Sequence, residues 1–219
     1  MLFLFDIDGT LVDTGGAGMS ALQEATQQVF GHGGPALDLA GSTDLGLIAK
    51  IHDHFEIEST AERIMHFFEV YEMRLEWNLT HGGYPGKVYS GVKTLLDELA
   101  RRPHVTLGLL TGNTAGGAAH KMRHFGLADY FCFGAYGSDH ADRNLLGPIA
   151  LSRAAAIMGK DFHPHETWVI GDTPKDIACA HALGAKCIAV ATGQFTDEAL
   201  KAHRPDHVVN SLEEVLVWI

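Results

Sequence analysis

Two carboxylates one residue apart, Asp6 and Asp8, end the apolar run Leu2-Phe3-Leu4-Phe5. In an extended segment residues i and i+2 point to the same side, so both acids can converge on one small volume. Like charges held there require a cation or a proton. Asp8-Gly9 also reads as a turn that ends the strand. A turn leaves Asp6 unexplained, because an unpaired charge directly after four large apolar residues is costly.

Two later segments also place polar groups where an apolar run stops. In Leu109-Leu110-Thr111-Gly112-Asn113-Thr114 a hydroxyl and the N–H groups of Gly112 and Asn113 precede a helix start, which makes a natural phosphate cradle. Helix capping by Asn113 or Thr114 accounts for those two residues but not for Thr111 and Gly112. In Val169-Ile170-Gly171-Asp172-Thr173-Pro174-Lys175-Asp176, Thr173 fits a cap, Pro174 the first helical position and Asp176 the third, as in a capping box. Asp172 lies outside that helix and is the better metal ligand. With Asp6 and Asp8 it offers the hard oxygens that Mg2+ prefers, with room for water and a phosphate.

The elements that must position these groups are strands whose carboxyl ends meet. After residue 84 the pattern alternates: helix 90–101, strand 105–110, helix 114–125, strand 130–133, helix 146–158, strand 167–170, helix 174–183, then strands 187–191 and 207–209. Continuous apolar strands alternating with helices predict an α/β fold, a Rossmann-like parallel sheet with helices on both faces. Between the first strand and this series lie three helical patterns, of which Ile64, Phe67, Phe68, Tyr71 and Leu75 form the clearest stripe, with Glu62, Arg63, Glu69, Glu72 and Glu76 on the other sides. Glycines 15, 16 and 18 open this unit and His81-Gly82-Gly83-Tyr84-Pro85-Gly86 closes it. Residues 15–83 are therefore expected to form an inserted all-α cap, and 1–14 with 84–219 the catalytic core. Ligands in such sheets bind at the carboxyl ends of the strands, beneath a lid hinged there.

A chain of 219 residues supports one sizeable core plus a small insert. Its net charge of −11 argues against a nucleic-acid surface, and no apolar run approaches a membrane span. An acidic chain needs local help from a metal, helix N-termini or basic groups to hold an anionic substrate. Cys132, Cys179 and Cys187 form no CxxC pair, and Cys132 and Cys187 read as reduced core residues, which fits the cytoplasm. His120 and His124 have ligand spacing on a helix, yet no carboxylate partner accompanies them, so they read as a solvated face. Oligomeric state is not encoded in any of these features.

Asp6-Ile7-Asp8-Gly9-Thr10-Leu11, Leu110-Thr111-Gly112-Asn113 and Gly171-Asp172-Thr173-Pro174-Lys175-Asp176 resemble, in order, the first, second and fourth motifs of the haloacid dehalogenase-like hydrolase superfamily. The insert is similar to that family's helical cap, and the resemblance spans essentially the whole chain. It implies that Asp6 is the nucleophile forming an aspartyl-phosphate, and that Asp8 protonates the leaving group and then deprotonates water. It further implies Mg2+ held by the Asp6 carboxylate, the Asp8 carbonyl and Asp172, with Asp176 in support and Thr111, Gly112 and Asn113 on the phosphate. The third motif departs from the usual Lys-Pro stretch: Ala141-Asp142-Arg143-Asn144-Leu145-Leu146-Gly147-Pro148 offers Arg143 as its basic residue. Arg143 can bind phosphate bidentately, or it can be an exposed arginine paired with Asp142 or Asp139.

Asp8 argues for phosphate esters, since the family's dehalogenases lack an acid there, and the first insert helix has no lysine for Schiff-base cleavage of phosphonates. Gly41-Ser42-Thr43-Asp44 resembles the Gly-x-Thr-Asp of phosphoglycolate-phosphatase-like caps, which makes Thr43 and Asp44 either substrate contacts or a helix N-cap. The resemblance implies a phosphoglycolate-phosphatase-like member of the superfamily, a Mg2+-dependent phosphatase acting on a small phosphorylated metabolite. A phosphohexomutase of the same superfamily is the alternative, and a retired binding protein the third reading.

Overall fold

A computed structural model describes residues 1–217 of the chain. Strand β1 (Leu2–Phe5) is fully buried and pairs in parallel with β4 (Thr106–Thr111) on one side and β6 (Thr167–Gly171) on the other. With β5 (Gly134–Tyr136), β7 (Lys186–Val190) and β8 (His207–Val209) they form one parallel sheet in the order β5-β4-β1-β6-β7-β8.

The period of two in β1 divides its side chains between two cores. Phe3 and Phe5 join Leu95, Leu96, Leu99 and Met122 from α4 (Val92–Ala100) and α5 (Ala115–His124) on one face. Leu2 and Leu4 meet Leu146, Ala150, Ala154, Ile177 and Ala180 from α6 (Leu146–Met158) and α7 (Pro174–Leu183) on the other. A strand covered on both faces can be apolar throughout, so its first polar residue, Asp6, falls where the sheet ends.

The insert contains α1 (Ala17–Phe30), α2 (Asp44–His54) and α3 (Ala61–His81), packed around their own cluster of Ala21, Leu22, Ile48, Ile51, Phe67, Tyr71 and Leu75. Thr43 and Thr60 cap α2 and α3 through their hydroxyls. At its stem, β2 (Val12–Asp13) and β3 (Lys87–Val88) pair as an antiparallel ribbon. Gly15, at φ 63°, lies so close to Pro85 that a side chain there would strike the returning backbone. The two junctions thus run against each other as a double stem. A short α8 (Asp197–Lys201) precedes β8.

One strand is displaced from its expected place. Residues 130–133 do not pair as a strand; a 3-10 turn covers Ala128–Tyr130, and β5 begins at Gly134. Aromatic packing decides this: Phe131 meets Phe5 edge to face at 5.9 Å and the Phe133 ring covers Gly108. Leu109 donates to the Phe133 carbonyl at 3.0 Å, and its ladder partner is Gly134. The same shift leaves Cys132 exposed and not in the core, whereas Cys187 is buried as expected. His120 sits beside Glu76 and Arg123, not in a ligand set.

Candidate active site

The carboxyl ends of β1, β4 and β6 open on one cavity of about 300 Å³, lined by Asp6, Asp8, Gly112, Asn113, Lys121, Arg143 and Asp172 from the core and by Met19, Leu22, Leu39, Asp44, Leu47 and Tyr71 from the insert. Its floor is a chain of buried charges. Arg143 Nη2 lies 3.1 Å from Asp6 Oδ1 and 2.5 Å from Asp176 Oδ1, and it also donates to the Leu110 carbonyl at 3.4 Å. Burial works against the guanidinium's charge, but Asp176 and Asp6 together hold it firmly protonated. Arg143 is thus neither exposed nor paired with Asp142 or Asp139; Asp139 takes Arg153 instead.

Asp176 is spent structurally. Its Oδ2 accepts from the N–H and hydroxyl of Thr173, completing the capping box that starts α7, and its Oδ1 accepts from Arg143. Asp172 is only lightly tethered, by the Thr10 hydroxyl at 3.3 Å. Burial pushes its carboxyl up to about 9, with Asp176 and Asp6 adding repulsion. Asp6 is raised to about 6 by burial, against the pull of Arg143, with Asp176 and Asp8 repelling it and the Thr111 hydroxyl helping to lower it. Oxygens of Asp6, Asp172 and Asp176 all lie within 4.8 Å of one another. The site is short of positive charge despite Arg143. Gly9, at φ 78°, lets the main chain pass where a side chain would collide with Asp172.

Asp8 points across the cavity, half-exposed. Both of its oxygens accept from Lys121 Nζ, at 2.7 and 2.6 Å, and Oδ2 also accepts from Asn113 Nδ2 at 2.8 Å. The same ammonium donates to Asn113 Oδ1 at 2.6 Å. Lys121 was not singled out from sequence; on α5 it is buried with Gly117, Ala118 and Met122. Thr111 is fully buried below, its hydroxyl accepting from Asn113 Nδ2 at 2.8 Å.

The insert seats directly on this turn. Asp44 N–H donates to the Gly112 carbonyl at 2.7 Å, while the Asp44 carboxylate accepts from Thr114 N–H at 2.7 Å. Gly137 N–H takes the Asn113 carbonyl at 2.7 Å, so both carbonyls of the turn are bonded away from the cavity. Enclosure pushes the Asp44 carboxyl up to about 7, against the lowering influence of Lys121 and of the Thr114 N–H. Glu72, one of the acids assigned to the outer sides of α3, accepts from the Thr114 hydroxyl at 2.5 Å. Thr43 does not line the cavity: its hydroxyl caps α2 and donates to the Ala141 carbonyl at 2.6 Å.

A profile of haloacid dehalogenase-like hydrolases matches residues 3–190. The chain belongs to the haloacid dehalogenase-like hydrolase family. Among similar proteins of this family, the phosphoglycolate phosphatase of Vibrio vulnificus (strain CMCP6) is 28% identical over 226 residues, covering 98% of this chain and 94% of its own. That of Chromobacterium violaceum is 28% identical over 216 residues, covering 96% and 92%. CbbY from Rhodobacter sphaeroides, solved in complex with phosphate, superposes with a TM-score of 0.72 at 17% identity, covering 98% and 95%; at that identity the likeness speaks for the fold. No helix among the described residues is long and apolar enough to cross a membrane.

Proposed function

We propose that this chain is a Mg2+-dependent phosphatase of small phosphate monoesters, with residues 15–83 acting as a cap over a core of 1–14 and 84–219. The observation that carries this reading is the convergence of Asp6, Asp172 and Arg143 at the ends of β1 and β6, beside the Thr111 turn and beneath the insert. The relatives named phosphoglycolate phosphatase support the same reaction class.

Buried carboxylates pushed upward by their own crowding suit a hard divalent cation. The Asp6 carboxylate, the Asp8 backbone carbonyl and Asp172 would hold it, and Asp176, through Arg143 and Thr173, keeps the frame around them. Bound there, the ion supplies charge neutralisation to the phosphoryl group. Asp6 attacks phosphorus and becomes the aspartyl-phosphate. Asp8 gives a proton to the departing alkoxide and later takes one from the attacking water. Lys121 and Asn113, donating to its oxygens, hold the Asp8 carboxylate within the cavity. Thr111, Gly112 and Asn113 receive the phosphate oxygens, and Arg143 offsets the charge that Asp6 and the phosphate bring together. A cytoplasmic setting accords with the buried free thiols of Cys179 and Cys187.

Phosphate release across a panel of esters, with and without Mg2+, tests the reading. Release should require the ion and vanish in Asp6→Asn; full activity in that variant removes Asp6 as nucleophile.

A further inference from the structure

The start of a helix leaves its first N–H groups without intrahelical partners. On α2 the Thr43 hydroxyl accepts from the N–H of Gly46, the third residue, and the first two N–H groups reach into the core. Asp44 N–H donates to the Gly112 carbonyl at 2.7 Å and Leu45 N–H to the Gly137 carbonyl at 3.0 Å, while Gly137 N–H donates to the Asn113 carbonyl at 2.7 Å. Two successive carbonyls of the turn after β4 are thus held, one by the insert directly and one through Gly137. The Asp44 carboxylate adds a further hold by accepting from Thr114 N–H at 2.7 Å.

A trans peptide is planar, with its C=O and N–H on opposite edges, so fixing one edge aims the other. The Gly112 carbonyl and the Asn113 N–H belong to one such unit. With the carbonyl drawn to Asp44, the N–H faces the Thr111 hydroxyl, 3.4 Å away, among the groups assigned to the phosphate. The fit leaves little slack: a side chain on Gly112 would strike the Ser42 carbonyl, and one on Gly137 the Gly112 carbonyl.

We propose that Asp44 is a positioning residue: seated on the turn, it sets the angle of the Gly112–Asn113 peptide and completes the phosphate cradle from the insert, without choosing the leaving group. This rests on the phosphatase reading above. Asp44 also lines the cavity, where the competing role is a contact to the leaving group. A contact of that kind discriminates among esters, whereas the turn meets the phosphate common to all of them.

The test measures kcat/KM of the full chain with Mg2+ on phosphoglycolate, 2-hydroxyethyl phosphate and p-nitrophenyl phosphate, together with inhibition by inorganic phosphate. Asp44→Ala removes the carboxylate and keeps the N–H. Asp44→Pro removes both, at a first helical position that tolerates proline and after Thr43, whose φ of −91° and ψ of 143° already suit a residue before proline. The Ala variant should lose about tenfold in kcat/KM and the Pro variant about 100-fold, by the same factor on every ester, as a displaced binding group does. Inhibition by inorganic phosphate should weaken in step. Asp44→Asn, which keeps an oxygen to accept the Thr114 N–H, should recover most of the Ala loss. If the Pro variant does not fold, the Ala and Asn pair decides. Losses that differ severalfold between esters, or a lower urea midpoint with unchanged kcat/KM, overturn the inference and leave the phosphatase reading standing. A parent that releases phosphate from none of the three esters overturns both.

Discussion

Replacing Arg143 by Met tests whether the guanidinium is a clamp on the site or a free phosphate ligand. It is 6% exposed and reaches two carboxylates, Asp6 at 3.1 Å and Asp176 at 2.5 Å, which are themselves buried. Removing one member of a buried ion pair costs about 3–5 kcal/mol, because the partner charge stays behind unpaired. One contribution has the opposite sign: Arg143 Nε has no hydrogen-bond partner among the described residues, and its loss returns about 1 kcal/mol. The net loss should be about 2–4 kcal/mol, which for a chain of this size lowers Tm by roughly 4–16 °C. Thermal and urea unfolding of the Mg2+-free protein at pH 7 measures it, and high salt should change it little, since the groups are shielded from solvent ions. Arg143→Lys keeps one charge but loses the Nη1 bond to the Gly41 carbonyl at 3.3 Å and the Nη2 bond to the Leu110 carbonyl, so it should recover only part of the loss. A Met variant within about 1 kcal/mol of the parent, the range of an exposed pair, would refute the clamp.

Lys121→Met should lower kcat about 10- to 100-fold, since it strips the oxygens of Asp8 of their principal donor, while KM moves little; steady-state kinetics on p-nitrophenyl phosphate separates the two. Asp44→Asn should flatten the pH dependence of stability. The Asp44 carboxyl is raised to about 7 in the fold from 3.8, so the folded state binds its proton more tightly. Its contribution is whole below the unfolded value and is lost as pH rises through about 7. Across pH 4 to pH 8 the difference between the urea midpoints of parent and variant should therefore shift steadily in favour of the variant.

The acids at the site were legible because each follows an apolar strand, where burial forbids an idle charge. Asp6 and Asp172 announce themselves in this way, and the sheet order places them side by side through the β1–β6 pairing. The helices between β2 and β3 were legible from the glycine-rich segments flanking them and the stripe of α3. What escaped depends on partners distant in sequence. Arg143 has acidic neighbours at hand in Asp142 and Asp139, and nothing local states that it turns inward to Asp6 and Asp176. Lys121 sits on a short helix rich in alanine and glycine, whose apolar stripe is too faint to make one lysine stand out. The start of β5 was decided by how Phe131 and Phe133 pack on Phe5 and Gly108, a contest that periodicity does not register.

The position of the insert also follows from this chemistry. Entering between β1 and the rest of the sheet, it starts a few residues beyond Asp8 and returns along the same ribbon, so its helices must stand over the strand ends. Asp44 then meets the cradle twice, through its N–H on the Gly112 carbonyl and its carboxylate on the Thr114 N–H. The first of these bonds takes the Gly112 carbonyl away from the cavity, and the same residue lines the cavity wall. Lifting the insert would leave both groups to water and admit solvent to Asp6 and Asp172, whose raised carboxyls depend on its exclusion.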